Sequence, residues 1–507
     1  MRRVPSALPL PLVLAAALAA SAQAPPAPAA AASGRLNVLL ITADDLNYDS
    51  LGFAGSKVPG VSPNLDRLAG EGMRFEKAFV TVAVCQPSRS VMMTGRYPHR
   101  SGALGFQPIT AEVATLSGVL HDAGWQTGIF GKETHLRPIE QFKWDVFIHG
   151  EELGMGRDAK KYHQAAKDFF EKAKAAGKPF FLMANAQDPH RPFAASEQEE
   201  THRKNALAKA ARKKNRKGKT PPAEDSEEEE GAGEYPPVSN AYRPEDVVVP
   251  GFLPDLPDVR REVAQYFTSV RRCDETVGGI LRALDETGFR DTTLVVFLSD
   301  HGMSFPFSKS NCWLTSNRTP LVVRWPGKVK PGTADAAHFT SGVDLMPTIL
   351  EAAGVPPATG MDGRSILPLL RGETQAGREQ VMTFYYRTVG KRDYWMRCLR
   401  NAGHAYIYNA WSDGKTEYRS EAMSGLSFPA MEAAAAKDPD VAARVEFLVH
   451  RVPEELYDAA ADPWELKNLA ADPAQKERLD AMRRAMAAEL ERIGDPLAGD
   501  YRKRFGL

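Results

Sequence analysis

Cysteine is scarce in this chain. Only four occur among 507 residues, Cys85, Cys273, Cys312 and Cys398. That is too few for a fold held together by disulfides, even in an oxidising compartment, and the sequence assigns no pairing. Net charge is also absent, with Lys+Arg and Asp+Glu at 64 each. A balanced chain projects no global field toward nucleic acid or a membrane surface, so any anion site must be local. Long apolar runs are missing beyond the N-terminus. The run from Leu8 to Ala20 is shorter than the roughly 20 residues a membrane span needs. It follows the basic Met1-Arg2-Arg3, and Ala22-Gln23-Ala24 behind it offers small residues at the −3 and −1 positions of a cleavage site. This layout predicts a secretory signal peptide over 1–24 and a Pro/Ala linker over 25–34. Export to a periplasmic or extracellular compartment follows, with no membrane span in the mature protein. No cysteine follows the apolar run, which argues against a lipoprotein anchor.

What is present is ordinary globular material. Hydrophobic residues make up 43% and charged residues 25%, enough for a large core. Four short apolar runs, Leu36–Thr42, Thr127–Phe130, Phe180–Ala184 and Thr293–Leu298, read as buried parallel strands. Helical patterns such as Tyr162–Ala175 and Val259–Thr287 lie among them. Alternating strands and helices predict an α/β fold, a large mostly parallel sheet flanked by helices, over residues 35–380. Beyond about Val381 the pattern changes. Met382–Arg387, Tyr394–Arg400 and His404–Asn409 read as strands and Pro473–Ile493 as a closing amphipathic helix. A smaller C-terminal α+β subdomain over 381–507 follows. Between about Glu197 and Pro237 the chain is polar, with a basic run (Arg212 to Lys217) before an acidic one (Glu227 to Glu230). This composition predicts a solvated, mobile insertion. The acidic run argues against a polyanion-binding role for the basic one.

In open α/β sheets, ligands bind beyond the carboxyl ends of the strands. Asp44 and Asp45 follow the first run, and Asp300 and His301 follow the fourth. Two acidic clusters at strand ends suit a hard cation such as Ca²⁺ or Mg²⁺; the plain alternative is that one Asp of each pair caps a helix. Lys132 and His135 follow the second run, Asp188 and His190 the third, and Lys309 lies in the loop beyond Asp300. Cations around a metal describe a pocket for a tetrahedral oxyanion, sulfate or phosphate. Taken singly, each Lys reads as a solvated charge and each His as a satisfied polar residue; their shared placement after strand ends favours a site. Cys85 precedes a helix start signalled by Pro87. A thiolate there is favoured by the helix dipole and by Arg89.

The stretch Cys85-Gln86-Pro87-Ser88-Arg89, continuing to Thr94-Gly95-Arg96, resembles the sulfatase signature C-x-P-S-R followed by T-G-R. The likeness extends from Asp44-Asp45 through Gly131-Lys132, Asp188-Pro189-His190, Ser299-Asp300-His301-Gly302 and Val343 to Thr348, and on to Asp462-Pro463-Trp464-Glu465. Within that family, Ala186 to Arg191, Val249 to Asp255 and Phe305 to Asn311 resemble the heparan N-sulfatase (sulfamidase) branch of the alkaline phosphatase superfamily. The resemblance implies an alkaline-phosphatase-like fold and hydrolysis of a sulfate ester or sulfamate, on a sulfated glycan such as N-sulfoglucosamine. It implies that Cys85 is a modified residue, oxidised to formylglycine by a formylglycine-generating enzyme during maturation. One hydroxyl of the hydrated aldehyde attacks sulfur; the other loses its proton, expels sulfate and restores the aldehyde. One Ca²⁺ per chain would be held by Asp44, Asp45, Cys85, Asp300 and His301. Arg89 and Lys132 would stabilise the hydrate and His135 hydrogen-bond it. Lys309 and His190 would bind sulfate, with His190 as acid for the leaving group.

Two positions depart from the family pattern. His301 stands where Asn is common, and imidazole is a softer donor than Ca²⁺ prefers. Gly131-Lys132-Glu133-Thr134-His135 is one residue longer than G-K-x-H. Two other functions remain open on the sequence: a phosphonate or phosphodiester hydrolase of the same superfamily, and a non-catalytic glycan-binding protein. Relative turnover of aryl sulfate and aryl phosphodiester separates the first. Loss of the Cys, Arg or acidic residues would have marked the second, and all are present.

Overall fold

The computed structural model describes residues 34–214, 235–388, 390 and 392–507. The expected signal peptide, the linker up to Ser33 and the acidic run at 227–230 lie outside the described residues.

In chain order the first ten strands are β1 (Asn37–Ala43), β2 (Met73–Phe75), β3 (Ala78–Phe79), β4 (Gln126–Phe130), β5 (Val146–Ile148), β6 (Phe180–Asn185), β7 (Thr293–Ser299), β8 (Leu321–Arg324), β9 (Thr333–Asp335) and β10 (Thr340–Ser341). Eight form one sheet in the order β5-β4-β6-β1-β7-β8-β2-β9. The block from β5 to β7 is parallel throughout, whereas β8 runs antiparallel to β7 and to β2. Thus the sheet is mixed but mostly parallel. β3 and β10 pair separately.

Every residue of β1 is buried. Its alternate side chains enter two cores: Leu39 and Ile41 on one face, Val38 and Leu40 on the other. A strand covered on both faces is apolar at most positions, which is why β1, β4, β6 and β7 read as near-continuous apolar runs. One face is covered by the helices Ala159–Ala176 and Pro257–Glu286. The other is covered by Leu116–Asp122 and Leu345–Ala352.

The C-terminal region adds an antiparallel sheet of four strands, β11 (Gln380–Arg387), β12 (Asp393–Asn401), β13 (His404–Asn409) and β14 (Glu454–Asp458), in that order. Two helices, Ser427–Ala435 and Pro439–Val449, lie between β13 and β14. The helix expected to close the chain begins with a 3₁₀ turn, Pro473–Gln475, and continues as α-helix over Lys476–Ile493, and a further helix, Ala498–Phe505, follows it. Phe384, Met396, Ile407 and Leu456 of this sheet belong to the same core as Leu39 and Phe297.

The described start of the polar stretch, residues 197–205, is mostly exposed. It opens as a helix, Glu197–Lys214. Ser196 Oγ accepts from the Glu199 amide at 3.0 Å, and Glu199 accepts from the Ala195 amide at 2.9 Å. This reciprocal cap is reinforced by acidic residues in the first turn, which the helix dipole favours. Glu199 also pairs with buried Arg272 at 2.7 Å, which ties the start of this helix to the core.

Candidate active site

The loops after β1, β4, β6 and β7 converge on the N-terminus of the helix Cys85–Thr94, all ten residues of which are buried. Cys85 is its first residue, preceded by extended Val84. Two hydrogen bonds fix the helix start: the Ser88 hydroxyl donates to Asp300 O at 2.6 Å, and the Ser310 amide donates to Ala83 O at 2.9 Å. Gly302 follows His301 because nothing larger fits; a Cβ there would lie 1.8 Å from Thr315 O. Asp45 and Lys132 both take positive φ, 65° and 56°. Non-glycine residues are rare in that region, and the surrounding contacts hold them there.

The side chains form one connected cluster. Arg89 Nη2 reaches Asp300 Oδ2 at 2.8 Å and Asp44 Oδ2 at 3.3 Å. Its Nη1 donates to Thr42 Oγ1 at 2.7 Å and Asn185 Oδ1 at 2.6 Å. Lys132 Nζ lies 2.6 Å from Asp44 Oδ2. Lys309 Nζ lies 3.1 Å from Asp45 Oδ1 and also pairs with Glu421. Cys85 Sγ is 3.5 Å from Asp44 Oδ1 and 3.3 Å from His301 Nε2. His301 Nδ1 is 3.0 Å from Gly302 O and 3.4 Å from Asp45 Oδ1. The Gly302 carbonyl accepts at Nδ1, which places the proton there and turns the Nε2 lone pair toward Cys85.

Buried charges at this density shift one another. Burial alone would raise the Asp44 carboxyl, but Lys132, His190, Arg89 and Lys309 hold it well below the usual range. Asp45 goes the other way: burial raises it, and Lys309, His190 and His301 compensate only in part. Asp45 Oδ1 is also buried without accepting a hydrogen bond, although Lys309 lies close. A buried carboxylate oxygen without a hydrogen bond calls for a partner, and a bound cation is one that could serve. Burial, with Lys132 and Arg89 nearby, pushes His135 well below its ordinary value, so it is neutral.

Ligand atoms of Asp44, Cys85, Asp300 and His301 all lie within 4.8 Å of one another. So do those of Asp44, Asp45, Cys85 and His190. The first group offers Asp44, Asp300 and His301 Nε2, the second Asp44 and Asp45, and carboxylate oxygens of this kind suit a hard divalent cation. Among the sequence-predicted residues, Asp44, Asp45, Cys85, Arg89, Lys132, Asp300, His301 and Lys309 are brought into contact. His190 joins the second group, with Nδ1 2.6 Å from Arg191 O. His135 ends the 3₁₀ turn Glu133–His135, buried and edge-on to Phe106. Its Nδ1 has no hydrogen-bond partner.

Sequence reasoning missed several supports. Thr42 and Asn185 hold Arg89; their position at the ends of β1 and β6 was the available signal. Asp188, flagged as part of a motif, holds no ligand position. It accepts from Arg157 at 3.1 Å and Arg272 at 2.5 Å, and Arg157 also donates to His190 O. Glu421 comes from the C-terminal region, and no local pattern marks it.

Known proteins extend these observations. The family model described as Sulfatase matches residues 36–355. The chain is 29% identical to human N-sulphoglucosamine sulphohydrolase over 488 residues, covering 91% of each. A protein solved in complex with its substrate D-glucosamine-2-N,6-O-disulfate superposes with a TM-score of 0.63 at 18% identity, covering 91% of this chain and 99% of that one. Phosphonate monoester hydrolase of Agrobacterium radiobacter superposes with a TM-score of 0.60 at 20% identity, covering 90% and 96%. Those two structures share the fold alone, and a fold does not choose between sulfur and phosphorus. The matched family spans well over half the chain, and this protein belongs to the sulfatase family, hydrolases of sulfate esters and sulfamates.

Proposed function

We propose that this chain cleaves the sulfamate or sulfate ester of a sulfated glycan, with N-sulfoglucosamine as the leading substrate, through a formylglycine made from Cys85 and a bound Ca²⁺. The observation that carries the reading is the place of Cys85: first residue of a buried helix, within reach of Asp44 and His301, with Arg89 and Lys132 beside it and Lys309 on neighbouring Asp45. The identity with human N-sulphoglucosamine sulphohydrolase supports the substrate.

Asp44, Asp45, Asp300 and His301 would hold the calcium together with the modified Cys85. When bound, the ion supplies Lewis-acid polarisation of the sulfate oxygens. The remaining work falls to the chain. Arg89, itself locked by four partners, fixes Asp44 and Asp300 in place. Lys132 and Arg89 set positive charge beside residue 85, and neutral His135 offers a hydrogen bond to it. Lys309 and His190 bind the sulfate. His190 Nδ1 donates to Arg191 O at 2.6 Å, so it is as the doubly protonated imidazolium that its Nε2 would deliver a proton to the leaving nitrogen or oxygen. The chain would be exported by its N-terminal segment and matured by a formylglycine-generating enzyme. No described helix is long and apolar enough to cross a membrane.

Mass spectrometry of the peptide containing Cys85, from active and natively produced protein, tests the modification. An intact thiol in active enzyme would overturn it. Turnover of N-sulfoglucosamine is then compared with that of matched aryl sulfate and aryl phosphodiester. The fold shared with a phosphonate hydrolase keeps that second reading open, and a clear preference for the phosphodiester would establish it. Withdrawal of calcium by a chelator is expected to lower the melting temperature, reversibly on re-addition, because binding to the folded state stabilises it by mass action.

A further inference from the structure

A cavity of about 240 Å³ opens beside the cluster. It is lined by Val84, the neighbour of Cys85, by Ser310, the neighbour of Lys309, and by Arg392, Arg419, Ser420 and Glu421. It therefore adjoins the reacting centre, and its volume lies below the roughly 300–1,000 Å³ of drug-sized pockets. A space of that size suits one sugar ring. Its ionisable lining is two arginines and one glutamate, and the glutamate is already engaged by Lys309. The Arg392 guanidinium makes no ion pair or hydrogen bond among the described residues, and Arg419 lies 5.8 Å over the Phe428 ring and pairs with the exposed Glu417 at 3.1 Å and Glu432 at 4.0 Å. Exposed pairs of this kind are weak and exchange readily for a better partner.

The backbone beneath both arginines is held. Arg392 closes the β11–β12 hairpin, with its amide on Thr388 Oγ1 at 3.2 Å and its carbonyl accepting from the Thr388 amide at 3.0 Å. Beside Arg419, buried Tyr418 donates to Ser310 O at 2.6 Å, which ties this segment to the loop of Lys309.

We propose that Arg392 and Arg419 form a subsite for a second anionic group of the substrate, a sulfate ester on the same ring or the carboxylate of an adjoining uronic acid. Planar guanidinium groups match both anions with paired, charge-assisted hydrogen bonds. The subsite rests on the sulfatase reading and adds to it that the preferred sugar is doubly anionic.

Three substrates with the same N-sulfate test this: N-sulfoglucosamine, its 6-O-sulfated form, and N-sulfoglucosamine linked to a uronic acid. A second anion held by charge-assisted bonds is expected to raise kcat/KM by about ten-fold, mostly through KM. The R392Q/R419Q variant should remove that preference, and added salt should weaken it. Whichever dianionic sugar shows the gain identifies the source of the anion. Equal kcat/KM for all three in the wild type, or a preference that survives in R392Q/R419Q, would overturn the subsite. Calorimetry with a Cys85→Ala protein separates this from the chemistry. An affinity gain from the second anion that vanishes in C85A/R392Q/R419Q supports the subsite even where no sulfamate is cleaved. No gain there refutes it while leaving the sulfatase reading intact.

Discussion

Arg89 is the residue on which the most contacts of the site depend. It is fully buried, it touches two aspartates from different strand ends, and its second nitrogen is held by Thr42 and Asn185. Removing one member of a buried charged network leaves its partners desolvated and uncompensated. Arg89→Ala is therefore expected to cost about 3–5 kcal/mol in chemical denaturation and to abolish turnover. Retention of wild-type stability would show that Asp44 and Asp300 do not need it. The chemistry-bearing residues were readable one by one because each follows an apolar run. Asn185 and Thr42 were not, since a polar residue at a strand end has no feature that announces its partner.

At the scale of elements, close contacts between helices decide how the loops are presented. The helices Ala159–Ala176 and Pro257–Glu286 approach at Gly279, where a Cβ would lie 2.4 Å from Ala159 O. Backbone cannot yield as a flexible side chain does. Gly279→Val is expected to destabilise by about 1–3 kcal/mol, seen as a lower melting temperature. The same long helix carries Asp274, whose carboxylate accepts from the Leu65 amide at 2.8 Å and from Asn64 Nδ2 at 2.7 Å, capping the helix Pro63–Glu71. Burial raises the Asp274 carboxyl to about 6 despite those bonds. The folded state thus keeps a proton that the unfolded chain releases near pH 3.9. Between those values folding is linked to proton uptake, so this group's contribution to stability falls as pH rises through the window and is level above it. Asp274→Asn should flatten that part of the stability–pH curve; an unchanged slope would refute the assignment. β1, β4, β6 and β7 were legible because both faces are buried. β2, β5 and β9 were not, at three residues each. β14 reads Glu-Glu-Leu-Tyr-Asp, and buried Glu455 is held there by the Arg451 guanidinium and by donors from Trp313, Asn409 and Tyr457.

For the whole molecule, the C-terminal sheet is part of the machinery and of the core. Its side chains share one apolar cluster with the main sheet. Glu421 from this region pairs with Lys309, and Arg451 holds Asn311 two residues further along that loop. A chain ending before Gln380 would expose that face. It is expected to aggregate or to lose its cooperative unfolding transition, which calorimetry would reveal. A sharp, reversible transition would show the first 379 residues to be self-sufficient. The sequence by itself determined the ingredients: apolar runs that must be covered on both faces, acidic and basic residues placed just after them, and a signature around Cys85. Only the tertiary structure decided which of them meet. Cys85 and His301 are separated by 216 positions, yet their atoms lie 3.3 Å apart. Contacts at that separation are set by sheet order, which local sequence does not encode. Cys85, one of four cysteines, is singled out by this crossing of loops; the other three are equally buried but lie outside the cluster.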